Sequence, residues 1–335
     1  MFQTEIHVTL QAFSSDFLTW LMRQVTASGY YFFVITMVIA VMFGFSLRKG
    51  FLLFQIIAWT AVASEMAKRL FGLPRPFFVD SRVDCLEPGW DAATPFRAMG
   101  GKGFLDLPAR PAIDAFRLQG LNFGMPSGHA SGAVALWGGL AVISRKRALA
   151  WFAPFMVALI ALTRLYLGVH FLADILGGIL LGTLVLLAAW KLIGTGGERF
   201  FAAARVGSAS SLPGVVYFFF LFVLPLLLAL LAGISANLAG FYVGLNAAFT
   251  LAERTGLPDD RGSIWTRLAR VLLGGLLFWV LSLLLRHGVS LLPAVTASRW
   301  GMFLVSGLGS FLTLWGGLWL FRHLGLYRQP APPVA

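Results

Sequence analysis

The chain has 335 residues, 58% of them hydrophobic and 12% charged, with a mean hydropathy of +0.81 and a formal net charge of +12. Soluble globular chains carry about 25% charged residues, so this composition excludes a water-soluble fold and predicts an all-α polytopic membrane bundle. The positive charge reads as the cytoplasmic excess of Lys and Arg, with no basic, aromatic-interleaved stretch for nucleic acid; the single cysteine, Cys85, excludes an internal disulfide and a cysteine-built metal site.

Residues 1–29 are expected to form an N-terminal outer-face segment, with 9–25 amphipathic and lying on the membrane surface. No cleavable signal is read there, since the N-terminus is not basic and no small-residue cleavage site follows the first apolar run. Apolar runs long enough to cross a bilayer are predicted near 30–47, 51–68, 129–144, 148–167, 171–190, 214–232, 235–252, 268–285 and 301–321, about nine in all. A polar loop rich in Pro and Gly, 69–125, separates the second and third. A very short turn makes the sixth and seventh a helical hairpin. The expected organisation is a core at 30–195, a C-terminal membrane extension at 196–328 and a disordered tail at 329–335.

Loop charge sets the expected orientation. Arg48, Lys49, Arg145, Lys146, Arg147, Lys191, Arg199, Arg205, Arg254, Arg261, Arg267, Arg270, Arg322 and Arg328 fall on one side, with only Glu198, Glu253, Asp259 and Asp260 against them. That side is expected to be cytoplasmic. The other side carries the long loop, whose cations are offset by Asp80, Asp84, Glu87, Asp91, Asp106 and Asp114. An odd number of spans puts the N-terminus outside and the C-terminus inside, in a membrane expected to be the bacterial inner membrane.

Three polar groups sit at span ends on the outer side. An ionisable residue beside a membrane span is costly and marks function by default. Lys68 and Arg75 are seven residues apart, with Pro74 and Pro76 ending the helix beside Arg75. They offer a point charge and a planar fork suited to phosphate oxygens, although two snorkelling cations would look the same. Pro126-Ser127-Gly128-His129 opens a span, where free amides and the helix dipole attract anions; an ordinary N-cap would look the same. Arg164, His170 and Asp174 follow. The last two are four apart and share a helical face, so the acid can hold the imidazole N–H and fix its tautomer. Together they make a phosphate pocket with a nucleophile.

Written out, the groups are Lys68-Arg-Leu-Phe-Gly-Leu-Pro-Arg75-Pro76, Pro126-Ser-Gly-His129 and Thr163-Arg164-Leu-Tyr-Leu-Gly-Val-His170-Phe-Leu-Ala-Asp174. They resemble the three signature motifs of the type 2 phosphatidic acid phosphatase superfamily, over roughly residues 50–190. Thr163 departs from the usual Ser but keeps a hydroxyl. The resemblance implies a metal-free, cofactor-free phosphohydrolase acting on a lipid phosphate or diphosphate. In it His170 attacks phosphorus, Asp174 orients His170, and His129 protonates the leaving oxygen. Lys68, Arg75, Ser127, Gly128 and Arg164 hold the phosphate oxygens. The nine-span layout is similar to the glucose-6-phosphatase and sphingosine-phosphate phosphatase branches. A phosphotransferase passing the phosphoryl group to a lipid acceptor fits the same residues. A non-catalytic transporter or scramblase fits less well, because no internal repeat is present. The motifs leave the substrate and the oligomeric state unspecified. In the extension, Tyr242, Asn246, Glu253, Asp259 and Asp260 are read as helix-packing groups rather than a second site, and His7, His287 and His323 as interfacial.

Overall fold

The computed structural model describes residues 1–90, 94–120, 122–206, 212–290 and 298–327, with 192–200, 202–206, 286, 289 and 290 described by backbone alone. The expected tail, Asp91 and Arg328 lie outside the described residues, as do the side chains of Glu198, Arg199 and Arg205. The regular elements are helices: α1 (Glu5–Gln11), α2 (Asp16–Ala27), α3 (Tyr31–Gly44), α4 (Leu47–Phe71), α5 (Pro76–Val79), α6 (Arg110–Gln119), α7 (Gly128–Ser144), α8 (Arg147–Tyr166), α9 (Leu172–Val206), α10 (Leu212–Leu231), α11 (Ala236–Thr255), α12 (Ile264–Ser290) and α13 (Arg299–His323).

Among the described residues six segments are long and apolar enough to cross a membrane, or seven if α2 and α3, bent by 44°, count as one. The expected nine is therefore not reached on length and composition. Helices do occupy the other two positions. At 17 residues or fewer, α7 is short for a full span, since a bilayer needs about 20. α11 has 20 residues, but its Tyr242, Asn246 and Glu253 are buried against protein, so it does not need an apolar, lipid-facing surface.

Two compact units divide the chain: residues 1–35 with 55–189, and 36–54 with 190–335. In the first, Phe77, Phe78, Val79, Ile113, Phe116, Tyr166 and Phe171 form an apolar core with Phe2. The loop after α4 is folded onto this core. Gly72 takes φ +57, a left-handed conformation that glycine adopts without penalty, and ends α4. Arg117 of α6 caps the freed carbonyls, donating to Gly72 O at 3.0 Å and Phe71 O at 2.9 Å.

In the N-terminal arm, α1 turns one face inward: His7 is fully buried and Gln11 nearly so, while Ile6 stays exposed. The Gln11 side chain donates to Asp84 O (2.8 Å) and Tyr166 O (2.9 Å) and accepts from Asp84 N (2.9 Å). Phe2 meets Phe171 edge-on at 5.4 Å. These hydrogen bonds satisfy the polar groups that the arm buries, and Phe2 adds an apolar anchor. Exposed Phe17 and Trp20 on α2 do retain the expected amphipathic character. Thr4 Oγ1 donates to the buried Asp80 carboxylate at 2.7 Å, and Arg82 pairs with the same group at 2.6 Å. Burial alone would raise the Asp80 carboxyl, but the Arg82 and Thr4 hydrogen bonds outweigh it and hold it below the ordinary carboxylate range.

In the second unit α11 and α13 pack backbone to backbone. A Cβ at Gly244 would lie 2.0 Å from Gly307 O, and one at Gly240 2.1 Å from Phe303 O. Small residues at this spacing let membrane helices approach closely. Phe51 stacks on Phe249 at 3.7 Å, and Arg48 forms a 2.6 Å ion pair with Glu253. Asn246 donates to Leu221 O at 2.8 Å, Asp259 accepts from Arg261 N at 3.0 Å and Asp260 from Leu47 N at 3.3 Å. Tyr242 is buried beside Phe54. The polar groups of the extension are thus engaged in packing this unit. His287 and His323 are exposed, but His7 is not interfacial.

Candidate active site

Four helix ends meet in the first unit, and each brings one part of the site. α4 ends in Lys68, and the Pro74-Arg75-Pro76 bend follows. α7 begins behind Ser127, α8 ends in Arg164, and α9 begins beside His170 with Asp174 in its first turn. A helix N-terminus presents unpaired amides and a partial positive charge, so the starts of α7 and α9 and the three cations all favour an anion between them.

His170 lies in the short loop between α8 and α9 and is 2% exposed. Its Nδ1 is 3.3 Å from Asp174 Oδ2, and its Nε2 is 3.3 Å from Arg75 Nη1. A carboxylate only accepts and a guanidinium only donates. The proton therefore belongs on Nδ1, and Nε2 presents its lone pair. Burial, then the Arg75 charge, push the His170 pKa well below the ordinary imidazole value, which keeps the ring unprotonated. Asp174 Oδ2 also accepts from Phe171 N at 3.0 Å, which fixes the carboxylate at the helix start.

Arg75 is 3% exposed and held on every side. It donates to Asn122 O (2.9 Å) and Val169 O (2.8 Å), and stacks on Trp90 at 4.5 Å. Gly124 fits where little else would, since a Cβ there would lie 2.8 Å from Pro74 O and 2.9 Å from Asp174 Oδ2. Lys68 Nζ donates to Asn122 Oδ1 at 2.9 Å. Ser127 is buried, and its Oγ caps α7 by accepting from Ala130 N at 3.4 Å. A Cβ on Gly128 would stand 3.9 Å from Ser64 Oγ and 4.0 Å from Lys68 Nζ, so this backbone lies beside both groups without crowding them.

Arg164 is 2% exposed, with one guanidinium nitrogen on the Glu87 carboxylate and another on Thr26 Oγ1 at 2.8 Å. The other Glu87 oxygen accepts from Tyr30 O–H, and the Tyr30 ring meets His129 edge-on at 4.9 Å. His7, from the arm, bonds through Nε2 to His170 O at 3.0 Å. Burial lowers the His7 pKa, so it is neutral and donates to that carbonyl.

All eight residues singled out from the motifs thus line this junction. Sequence reasoning missed Thr26, Tyr30, Ser64, Glu87, Asn122 and His7. Glu87 and Asn122 sit in the polar loop without periodic spacing, and Thr26 and Tyr30 lie far upstream.

Among the described residues four buried polar atoms here have no hydrogen-bond partner: Arg164 Nε, His129 Nε2, Ser64 Oγ and Asp174 Oδ1. Leaving such a group unpaired costs about 1–3 kcal/mol, and three of the four belong to groups that can donate to an oxyanion. The arrangement can bind a tetrahedral oxyanion, attack it with a neutral imidazole and deliver a proton from a second one. Among the described residues no three His, Cys, Asp or Glu side chains converge as a metal site.

A family model described as the PAP2 superfamily matches residues 49–198, and one described as PAP2 superfamily phosphatase, transmembrane extension, matches 236–329. No curated protein and no solved structure matches the chain.

Proposed function

This chain belongs to the PAP2 superfamily of membrane phosphatases, and from that premise we propose that it hydrolyses a lipid phosphate or diphosphate through a phosphohistidine on His170. The observation that carries this reading is the paired geometry of the His170 ring, with Asp174 on Nδ1 and the Nε2 lone pair turned towards Arg75. In the first step Nε2 forms a bond to phosphorus as the bond to the leaving oxygen breaks, and His129 gives that oxygen its proton. In the second, water attacks phosphorus, His129 takes the water's proton, and the N–P bond breaks to release phosphate. Lys68, Arg75 and Arg164, with the Ser127 hydroxyl and the Gly128 amide, stabilise the charge on the transferring oxygens. Positioning and charge stabilisation are most of what phosphoryl transfer needs.

The lipid substrate is supported by the setting: Lys68, Arg164 and Asp174 lie at the ends of membrane-length helices, and Ser127, Gly128 and His129 at the start of the shorter apolar α7. An outer-facing site, with the N-terminus outside and the C-terminus cytoplasmic, is supported by the loop charges. In a Cys85-free background, a cysteine beside Gly100 should react with an impermeant thiol reagent in intact cells, and one beside Arg145 should not; the reverse pattern would invert the orientation. The activity itself is tested by phosphate release from a panel of lipid phosphates, diphosphates and a sugar phosphate in detergent with excess EDTA. Release that survives EDTA in the parent and is absent in His170→Ala, together with acid-labile labelling of the parent protein, is the expected result. A His170→Ala protein that still forms a phosphoenzyme, or an absolute requirement for added magnesium, would refute the mechanism. Appearance of a phosphorylated acceptor in place of free phosphate would identify the phosphotransferase instead.

A further inference from the structure

The break between α2 and α3 lies before either segment matched by the family models, yet three of its residues touch the candidate active site. We propose that this break, residues 26–30, is a working part of the site: Gly29 and Tyr30 position His129 for proton donation, and Thr26 with Glu87 positions Arg164. The inference rests on the reading above of His129 as the proton donor.

The His129 ring makes no hydrogen bond among the described residues, and its Nε2 is buried without a partner. Packing alone therefore sets where that nitrogen points. Tyr30 lies against the ring edge-on, at 4.9 Å and 86°. Gly29 lies against its other carbon edge: a Cβ there would stand 2.6 Å from His129 Cδ2, closer than side-chain carbons approach. A glycine is thus required at 29 for the imidazole to occupy its present place. Tyr30 in turn is tethered, because its hydroxyl donates to Glu87, the carboxylate that pairs with Arg164. Thr26, one turn earlier, donates no hydrogen bond to the site but accepts one from Arg164 Nη1. The proton donor and one phosphate-binding cation are therefore registered to each other through Tyr30 and Glu87. A proton donor acts only within hydrogen-bond reach of the leaving oxygen, about 2.6–3.2 Å. Small rotations of the ring consequently cost rate where protonation is needed, and little where it is not.

The test compares the phosphorylation step, read as kcat/KM, on two substrates within each preparation of the full chain: an alkyl phosphate, whose leaving group needs a proton, and p-nitrophenyl phosphate, whose leaving group does not. The ratio of the two rates does not depend on the folded fraction. His129→Ala sets the scale, with an expected loss of about 10²–10⁴-fold on the alkyl phosphate and far less on the nitrophenyl ester. Gly29→Ala and Tyr30→Leu should show the same bias in smaller form, losing at least about tenfold more on the alkyl phosphate. Tyr30→Phe, which keeps the ring, should recover most of the alkyl-phosphate rate lost in Tyr30→Leu and so show little of that bias. Thr26→Val should raise KM on both substrates without any bias. Equal losses on both substrates for Gly29→Ala and Tyr30→Leu, with the His129→Ala bias intact, would overturn the inference while leaving the mechanism standing. No bias in His129→Ala itself would instead remove the proton-donor reading, and the inference with it.

Discussion

Removing Glu87 should leave Arg164 as a buried charge with no countercharge. Arg164 is 2% exposed, and Glu87 is its ion-pair partner among the described residues. Breaking a buried pair by deleting one member costs about 3–5 kcal/mol. For a unit of about 170 residues, each kcal/mol moves Tm by about 2–4 °C, so Glu87→Ala should lower it by about 6–20 °C. The same geometry makes a second, sharper claim. In the parent a phosphate must compete with the Glu87 carboxylate for the Arg164 fork; in the variant only the Thr26 hydroxyl remains on it. Inorganic phosphate at 100 times its Kd adds about 2.7 kcal/mol of stability, and it should reach that level at lower concentration in the variant. Thermal unfolding in detergent, with and without a phosphate titration, reads both effects. A Tm within about 2 °C of the parent's, or phosphate curves that superimpose for the two proteins, would show that Arg164 does not depend on Glu87 and does not bind the anion.

Asp174→Asn should cut kcat by about 10²–10⁴-fold with little change in KM, because an amide can donate to Nδ1 and draw the proton onto Nε2; a loss under tenfold in steady-state kinetics would refute the tautomer assignment. Stability should fall in acid. His7 and His170 both have folded pKa values depressed by burial, whereas in the unfolded chain they bind protons near pH 6.5. Their contribution is thus intact above pH 6.5 and lost as pH falls below it towards the folded values. Tm should be lower at pH 5.5 than at 7.5, with a smaller difference in His7→Gln, and a flat profile would sink this assignment. Gly244→Leu should destabilise the second unit by about 1–3 kcal/mol through overpacking, since the blocking atom is the Gly307 backbone oxygen, which cannot rotate away; an unchanged thermal profile would contradict the close α11–α13 contact.

The membrane class and the motif residues were legible because each has a local signature: long apolar runs, prolines that end helices, and a His and an acid four apart. The supports of the site were not. Glu87 reaches Arg164 across 77 residues, and Thr26 reaches it across 138, distances over which no periodicity carries. The inward face of α1 was not legible for a related reason: the partners of His7 and Gln11, at His170 O, Asp84 O and Tyr166 O, lie 163, 73 and 155 residues away. Six or seven of the nine expected spans pass on length and composition, and α7 and α11 do not, because hydropathy reports what a segment can bury, not what covers it.

The bond from His7 to His170 O joins residues 163 positions apart, and synthesis runs from the first to the second. At about 5–20 residues per second, roughly 8–33 s pass between their appearance. Until then the arm can meet only earlier partners, such as Asp80 for Thr4 and Asp84 for Gln11. The surfaces that receive it, Tyr166 O, His170 O and Phe171, are made last among its contacts. Closure of the arm is therefore a late, non-local event, of the kind that slows folding. Phosphatase competence should then appear abruptly, when the loop between α8 and α9 emerges and captures the arm, rather than accumulate helix by helix.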